Sequence, residues 1–407
     1  MAVGITEEPH LLPVSGINLA ACSAGIYKKK RSDLAIIAAD PGTRIAALFT
    51  RNAFCAAPVI LAKEHLKKCE DPLYLLINAG NANAGMGKAG YEDGLKTCKY
   101  LAELVEVSEK FILPFSTGVI GEPLPVEKIQ KAIPHLLDTL SEDSWGEVNR
   151  AIMTTDTVPK GISREINFEG KKLTITAIAK GSGMIRPDMA TMLAFIGTDA
   201  AIEKGLMQEM LEYAVEHSFN RISVDGDTST NDACVLIATG KSNVPLIDTM
   251  DSDAGLKFRE VLTEVCVFLA QAIVRDGEGA TKFVTLHITN GESKEECLAV
   301  ATAISHSPLI KTALFASDPN WGRILAAVGR SGLGNFDVNK VSIYIDDVCI
   351  VNDGERSPGY TEATGKKIFQ KDEILIRISL GRGNHALKFW TCDLSYDYVR
   401  INAEYRT

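Results

Sequence analysis

Hydrophobic and polar positions switch between two periods along this chain. Mostly apolar runs predict strands at Leu34–Ala39 and Arg44–Thr50, and the Asp40-Pro41-Gly42 turn between them predicts a hairpin. Ala57–Lys68 reads as a helix, Tyr74–Asn78 as a buried strand, Gly94–Val107 as a second helix and Phe111–Ser116 as a strand entering Thr117-Gly118-Val119-Ile120-Gly121. Arg164–Phe168 and Lys172–Ala179 flank Glu169-Gly170 as a second hairpin. Further on, Lys204–Ser218 sets Leu206, Met210, Tyr213 and His217 on one helical face, where His217 reads as a satisfied, partly buried side chain. Leu256–Val274 is a long helix, Lys282–Ile288 a strand, and Val341–Ile345 with Val348–Asn352 a hairpin around Asp346-Asp347. Ile374–Leu380 and Ala386–Leu394 complete the strands. Hairpins beside helices, without repeated β-α-β units, imply mainly antiparallel sheets covered by helices. No Gly/Ser/Pro tract divides the chain.

Composition narrows the function classes. With 407 residues, 46 % hydrophobic and 23 % charged, the chain forms one large or two closely packed domains. A net charge of −9 argues against a general nucleic-acid binder, because phosphate backbones are held by Lys and Arg. The basic run Lys28-Lys29-Lys30-Arg31 reads as a solvated turn. Nine scattered cysteines without a C-x-x-C pair suit a reducing cytosol rather than a disulfide framework or zinc site. Apolar runs stop well short of the ~20 residues of a membrane helix, and Met1 to Leu12 lacks signal-peptide features. A cytoplasmic protein without membrane or nucleic-acid partners is expected.

The unusual stretch is Lys180-Gly181-Ser182-Gly183-Met184-Ile185-Arg186-Pro187-Asp188-Met189-Ala190-Thr191-Met192-Leu193. It leaves a strand, passes two glycines and a proline, and re-enters an apolar run, so that polar Thr191 opens a predicted buried strand. Thr191 reads either as an ordinary β-branched strand residue or as a nucleophile. A threonine hydroxyl needs a base, and its own N-terminal amine, with a pKa of about 7.7–8.0, can supply one. Thr191 has such an amine only if the Ala190–Thr191 bond is cut. Small Ala190 leaves room for Thr191 to attack that bond, and Gly181 and Gly183 permit a tight bend.

This segment resembles the self-cleavage signature of the ornithine acetyltransferase family, although Asp188 stands where Asn is often found. The resemblance spans essentially the whole chain. It includes Asn78-Ala79-Gly80-Asn81-Ala82-Asn83-Ala84-Gly85, Ser116-Thr117-Gly118-Val119-Ile120-Gly121, Met153-Thr154-Thr155-Asp156-Thr157, the run Ser223–Asp232, Asp318-Pro319-Asn320-Trp321-Gly322-Arg323 and the ending Tyr396–Thr407.

The resemblance implies an α/β (α+β) fold, a four-layer α-β-β-α sandwich. It is cut into an α chain, residues 1–190, and a β chain, residues 191–407, which stay packed as one unit and assemble as an α2β2 heterotetramer. It implies Thr191 as nucleophile, Thr117 and Gly118 as the oxyanion hole, and Thr154, Lys180, Thr191, Glu278, Asn402 and Thr407 as substrate contacts. In this scheme Lys180 pairs with a substrate carboxylate, Glu278 holds the side-chain amine of ornithine, and the chain terminus folds back into the site. The implied reaction is a ping-pong acetyl transfer from N-acetylornithine to glutamate, without cofactor or metal. Some relatives also take acetyl-CoA as acetyl donor, and no residue here decides that point.

Rival readings exist. A self-cleaving aminopeptidase of the same fold would also cut before its nucleophile. A Mg²⁺- or phosphate-handling protein would use the 225–232 loop, with Asp225, Asp227 and Asp232 as ligands. A non-catalytic interaction protein would leave the chain whole.

Overall fold

The Asp40-Pro41-Gly42 turn does not close a hairpin. The strand before it, Leu34–Ala39, and the strand after it, Arg44–Phe49, lie in different sheets. The turn thus carries the chain from one layer to the next. The computed structural model describes residues 2–27, 30–69, 71–168, 170–186 and 192–404.

The first sheet has four strands in the order Ile17–Cys22, Leu34–Ala39, Tyr74–Asn81 and Ile112–Val119. The second has five, in the order Arg44–Phe49, Ala233–Ala238, Leu193–Thr198, Lys171–Lys180 and Lys160–Phe168. Side chains alternate across each strand, and the central strands are buried on both faces. Ala35, Ile37, Leu75, Ile77 and Phe115 of the first sheet meet Ile178, Phe195, Val235 and Ile237 of the second. Phe115 and Phe195 sit edge to face with centroids 5.2 Å apart. The outer face of the first sheet, with Leu34, Ile36 and Leu76, packs on Cys98 and Leu101 of helix Gly87–Leu104 and on Ile129 and Ile133 of helix Val126–Asp138. The outer face of the second packs on helices Lys204–Glu216 and Asp253–Arg275 through Met207, Met210, Leu262 and Leu269. These layers are the expected α-β-β-α sandwich.

A third sheet of seven strands runs Glu355–Arg356, Val348–Asn352, Ser342–Ile345, Glu373–Ser379, Phe283–Gly291, His385–Cys392 and Ile222–Ser223. It has its own core, closed by helices that include Lys294–Ser305 and Glu362–Phe369. Pairing in the three sheets is mainly antiparallel, with parallel neighbours such as Leu193–Thr198 beside Ala233–Ala238.

The predicted hairpins at 169–170 and 346–347 form, with Glu169 itself outside the described residues. Several expected boundaries shift, and two of the shifts have a clear consequence. The helix expected from Gly94 begins at Gly87. Glycine lowers helix propensity, but here it permits close packing: a Cβ on Gly90 would lie 2.6 Å from Asn83 Oδ1, and one on Gly94 2.8 Å from Leu61 Cδ1. The strand expected to end at Ser116 runs on to Val119, so Thr117 and Gly118 lie within a strand, not in a turn. His217 is half-buried as expected, with Nδ1 2.8 Å from the Tyr213 carbonyl and its ring stacked on Tyr213. Of the basic run, Lys28 and Lys29 lie outside the described residues, and Arg31 donates to the carbonyls of Arg150 and Met153 at 3.0 Å. Among the described residues no single helix is long and apolar enough to cross a membrane.

Candidate active site

Four strand ends converge at one edge of the sandwich. Strand Ile112–Val119 brings Thr117 and Gly118, strand Lys171–Lys180 ends on Lys180, strand Leu193–Thr198 begins at Leu193, and the 229–232 loop leads into strand Ala233–Ala238. They border a cavity of about 230 Å³ that opens to solvent. Thr117, Gly118, Thr154, Lys180, Glu278 and Asn402, expected at the site from five separate stretches, all line it. Met192 and Leu193 line it too. Ala190, Thr191 and Thr407 lie outside the described residues.

Gly118 sits where no other residue fits. Its φ is +133°, and a Cβ would come 2.3 Å from the carbonyl carbon of Gly80, its partner on the neighbouring parallel strand. The loop opposite is pinned to this strand end. Asn231 Nδ2 donates to the carbonyls of Ala82 (2.7 Å) and Ser116 (2.9 Å), just before Thr117.

Lys180 is buried, and its Nζ donates to Thr117 Oγ1 at 3.1 Å. Burial pulls its ammonium pKa down. The Asp156 carboxylate opposes that, nearby Lys160 adds to it, and Asp232 and Glu278 oppose it further. Asp156 organises this corner: one oxygen accepts from the Lys160 ammonium (2.6 Å) and the Gly181 N–H (2.7 Å), the other from the Thr154 N–H (3.0 Å). Lys160 in turn bonds Asp276 at 2.6 Å, and all three side chains are buried. Burial opposes charge on Asp156, but the Lys160 and Lys180 cations prevail and hold its carboxyl well below the usual range. The same Asp276 carboxylate accepts from the N–H (2.9 Å) and hydroxyl of Thr157, tying down the segment that carries Thr154.

Glu278 follows the long helix Asp253–Arg275. Its N–H donates to the Ser182 carbonyl (2.8 Å), and its Oε2 accepts from Asn402 Nδ2 at 2.7 Å. Gly183 makes room for it: a Cβ there would stand 2.4 Å from the Glu278 carboxyl carbon. Asn402 arrives on the C-terminal helix Tyr396–Ala403, anchored by the Ser395 hydroxyl donating to the Gly279 carbonyl at 2.6 Å. The chain terminus therefore does return to the site as far as Asn402.

Two acidic groups join the site beyond the expected catalytic and substrate contacts: Asp156, within the motif Met153–Thr157, and Asp232, expected only as a metal ligand in the rival reading. Asp232 is 4 % exposed, lines the cavity, and its Oδ2 has no hydrogen-bond partner among the described residues. Burial pushes its pKa well above the usual carboxylate range, against the opposing pull of Ser229 and Lys180. Asp225, by contrast, spends its carboxylate on the N–H groups of Met184 (2.7 Å), Ile185 (2.9 Å) and Asp227 (3.2 Å). Asp225, Asp227 and Asp232 thus form no common ligand set, and no group of three or more His, Cys, Asp or Glu suited to a metal occurs among the described residues.

A polar cavity at the strand ends of a layered α-β-β-α scaffold is the setting of an enzyme site for a small molecule. The chain belongs to the ArgJ family, whose model matches residues 18–407. It is 53 % identical over 407 residues, all of both chains, to the arginine biosynthesis bifunctional protein ArgJ of Pseudomonas fluorescens. To the protein of the same name from Methylococcus capsulatus it is 52 % identical, with 98 % of each chain covered. Among solved structures it is similar to arginine biosynthesis bifunctional protein argJ from Bacillus halodurans, at 39 % identity and a TM-score of 0.49 over 51 % of this chain and 97 % of that one. It is also similar to ornithine acetyltransferase from Mycobacterium tuberculosis complexed with ornithine, at 29 % identity and a TM-score of 0.38 over 44 % of this chain and 94 % of that one.

Proposed function

We propose that the protein moves the acetyl group of N-acetylornithine to glutamate in a ping-pong reaction, after cutting itself between Ala190 and Thr191. The observation that carries this reading is the convergence of Thr117, Gly118, Thr154, Lys180, Glu278 and Asn402 on one cavity, with Met192 and Leu193 in its wall just past the expected cut.

The charges suit the donor. N-acetylornithine carries a carboxylate and a side-chain ammonium, and the cavity lining offers the Lys180 cation and the Glu278 carboxylate. Thr191 Oγ attacks the acetyl carbonyl while the freed Thr191 amine takes the hydroxyl proton. The carbonyl oxygen becomes negative between Thr117 and Gly118. Because Thr117 Oγ1 accepts from Lys180, its own O–H is left to donate to that oxygen, polarised by the cation behind it. Oxyanion donors of this kind are worth about 10²–10³ in rate. Ornithine leaves, and the amine of glutamate attacks the acetyl-Thr191 ester to give N-acetylglutamate.

Acetyl-CoA as a second acetyl donor belongs to the same reading, in keeping with the "bifunctional" name of the relatives. No metal or resident cofactor takes part. Residues 1–190 and 191–407 remain associated because the five-stranded sheet interleaves them: Lys171–Lys180 pairs with Leu193–Thr198, and Arg44–Phe49 with Ala233–Ala238. An α2β2 assembly in the cytoplasm completes the proposal, and nine unpaired cysteines suit that compartment.

Intact-mass measurement of the purified protein beside Thr191→Ala tests it. Two fragments meeting at Ala190/Thr191, an uncut variant, and an acetyl adduct on the larger fragment after N-acetylornithine are expected. A wild-type chain that stays whole, or activity on amino-acid amides in place of N-acetylornithine, overturns the reading.

A further inference from the structure

Acetyl transfer between two amines has a proton account that a threonine and its own amine do not close. In N-acetylornithine the reacting nitrogen is an amide N–H, and in free ornithine it is an ammonium, so the leaving nitrogen gains two protons. One comes from the Thr191 hydroxyl by way of the Thr191 amine. In the second half the glutamate ammonium loses two: one returns to Thr191 Oγ as the ester bond breaks, and one must go elsewhere. One proton therefore has to be supplied when ornithine leaves and taken back when glutamate arrives.

We propose that Asp232 stores this proton, giving it to the departing ornithine amine and recovering it from the incoming glutamate ammonium. The inference rests on the acetyl-transfer reading above. Its basis is geometric. Asp232 is buried in the cavity wall with a carboxylate oxygen free of partners among the described residues. It also adjoins the strand on which the nucleophile is expected. Ala233 pairs in register with Leu193 and donates its N–H to the Met192 carbonyl at 2.9 Å, so Asp232 stands at the head of the strand next door. The Thr50 N–H, donating to the Asp232 carbonyl at 3.0 Å, fixes its backbone from the other side.

The charge balance supports a neutral starting state. Lys180, Glu278 and Asp232 are the ionisable residues that line the cavity among those described. With Asp232 protonated, Lys180 and Glu278 match the two opposite charges of N-acetylornithine. Burial favours that protonated form. When ornithine's amine departs, it takes the Asp232 proton and leaves as an ammonium. The acetyl-enzyme is left with an Asp232 carboxylate, which attracts the α-ammonium of glutamate. That ammonium gives Asp232 one proton and becomes the neutral amine that attacks the ester. As the new N–C bond forms and the C–Oγ bond breaks, its second proton passes through the Thr191 amine to Thr191 Oγ. Both halves balance, and the enzyme returns to its starting state.

The test is the fate of the acetyl-enzyme with two acceptors. Hydroxylamine is already neutral near neutral pH and needs no deprotonation, whereas glutamate arrives as an ammonium. Self-cleaved Asp232→Asn, acetylated on Thr191 with p-nitrophenyl acetate, whose phenolate leaves without a proton, is mixed with each acceptor and the loss of the acetyl adduct is followed by mass. Transfer to glutamate should fall about 100-fold or more, the usual worth of a positioned acid or base, while transfer to hydroxylamine stays within about fivefold of wild type. Asp232→Glu, which keeps a carboxyl one methylene farther out, should fall between and serves if the Asn variant is not processed. Equal losses with both acceptors, or no loss with either, overturn the assignment. Absence of any acetyl adduct in the wild type would instead sink the acetyl-transfer reading itself.

Discussion

Asn402 donates its side-chain amide to the Glu278 carboxylate at 2.7 Å, joining residues 124 positions apart across the mouth of the cavity. The bond fixes the carboxylate, and no cation pairs with that oxygen among the described residues. A hydrogen bond to a charged group is worth about 1.5–3 kcal/mol, a factor of about 10 to 150. Glu278→Gln keeps the shape and loses the charge, so the KM for N-acetylornithine should rise by about that factor. Asn402→Ala keeps the charge and frees the carboxylate, and a smaller rise is expected. Steady-state kinetics at saturating glutamate check the order, and equal effects would show that charge does not select the donor.

Two glycines at the site should respond differently to alanine. At Gly118 the new methyl meets the Gly80 backbone at 2.3 Å and a positive φ, and neither can yield. Gly118→Ala should cost stability at the level of about 1–3 kcal/mol or more, as overpacking does. At Gly183 the methyl meets only the end of the Glu278 side chain, at 2.4 Å. Gly183→Ala should leave the urea midpoint nearly unchanged and raise the KM for N-acetylornithine, because the displaced group is the carboxylate. A large stability loss in Gly183→Ala would contradict this.

What the sequence disclosed follows from how local each feature is. Thr117, Gly118 and Lys180 sit inside contiguous motifs, each recognisable from a short stretch of chain although Lys180 meets Thr117 from 63 positions away. The hairpin at 169–170 is legible for the same reason. Asp156 lies within a motif too, but its role depends on Lys160, Gly181 and Asp276, which come from three other stretches. Asp232 reads in the sequence only as a candidate Mg²⁺ ligand beside Asp225 and Asp227, because burial and a free oxygen are properties of the packed chain. The Asp40-Pro41-Gly42 turn specifies a change of direction, and nothing in it says which strands will pair afterwards.

The Asp156–Lys160–Asp276 cluster should behave as a buried charge network. Removing one partner of such a network typically costs about 3–5 kcal/mol, since the remaining charge is left uncompensated. Asp156→Asn should fall toward the lower end, because Asp276 still pairs with Lys160. Its folded pKa is depressed, so the stability it adds is present above the unfolded carboxylate value and is lost as pH falls through the folded one. The gap between wild type and Asp156→Asn in urea unfolding should therefore be widest near neutral pH and narrow in acid. A gap independent of pH would mean that packing, not charge, accounts for the loss.

Asp232 should show the opposite sign. Its folded pKa is raised by burial, so the folded state binds a proton more tightly than the unfolded chain. Below the unfolded carboxylate pKa of about 3.9 the group is protonated in both states and costs nothing. As pH rises above that value the unfolded chain ionises freely while the folded one resists, and stability declines until the folded pKa is passed. Asp232→Asn, uncharged throughout, escapes this decline. At neutral pH the variant should melt above wild type, and the difference should shrink as the pH is lowered toward 4. That gain, beside a loss of transfer to glutamate, is the pattern of a buried group kept for chemistry at a cost in stability. A variant that melts below wild type at neutral pH would show instead that the carboxylate is held by contacts stronger than its burial.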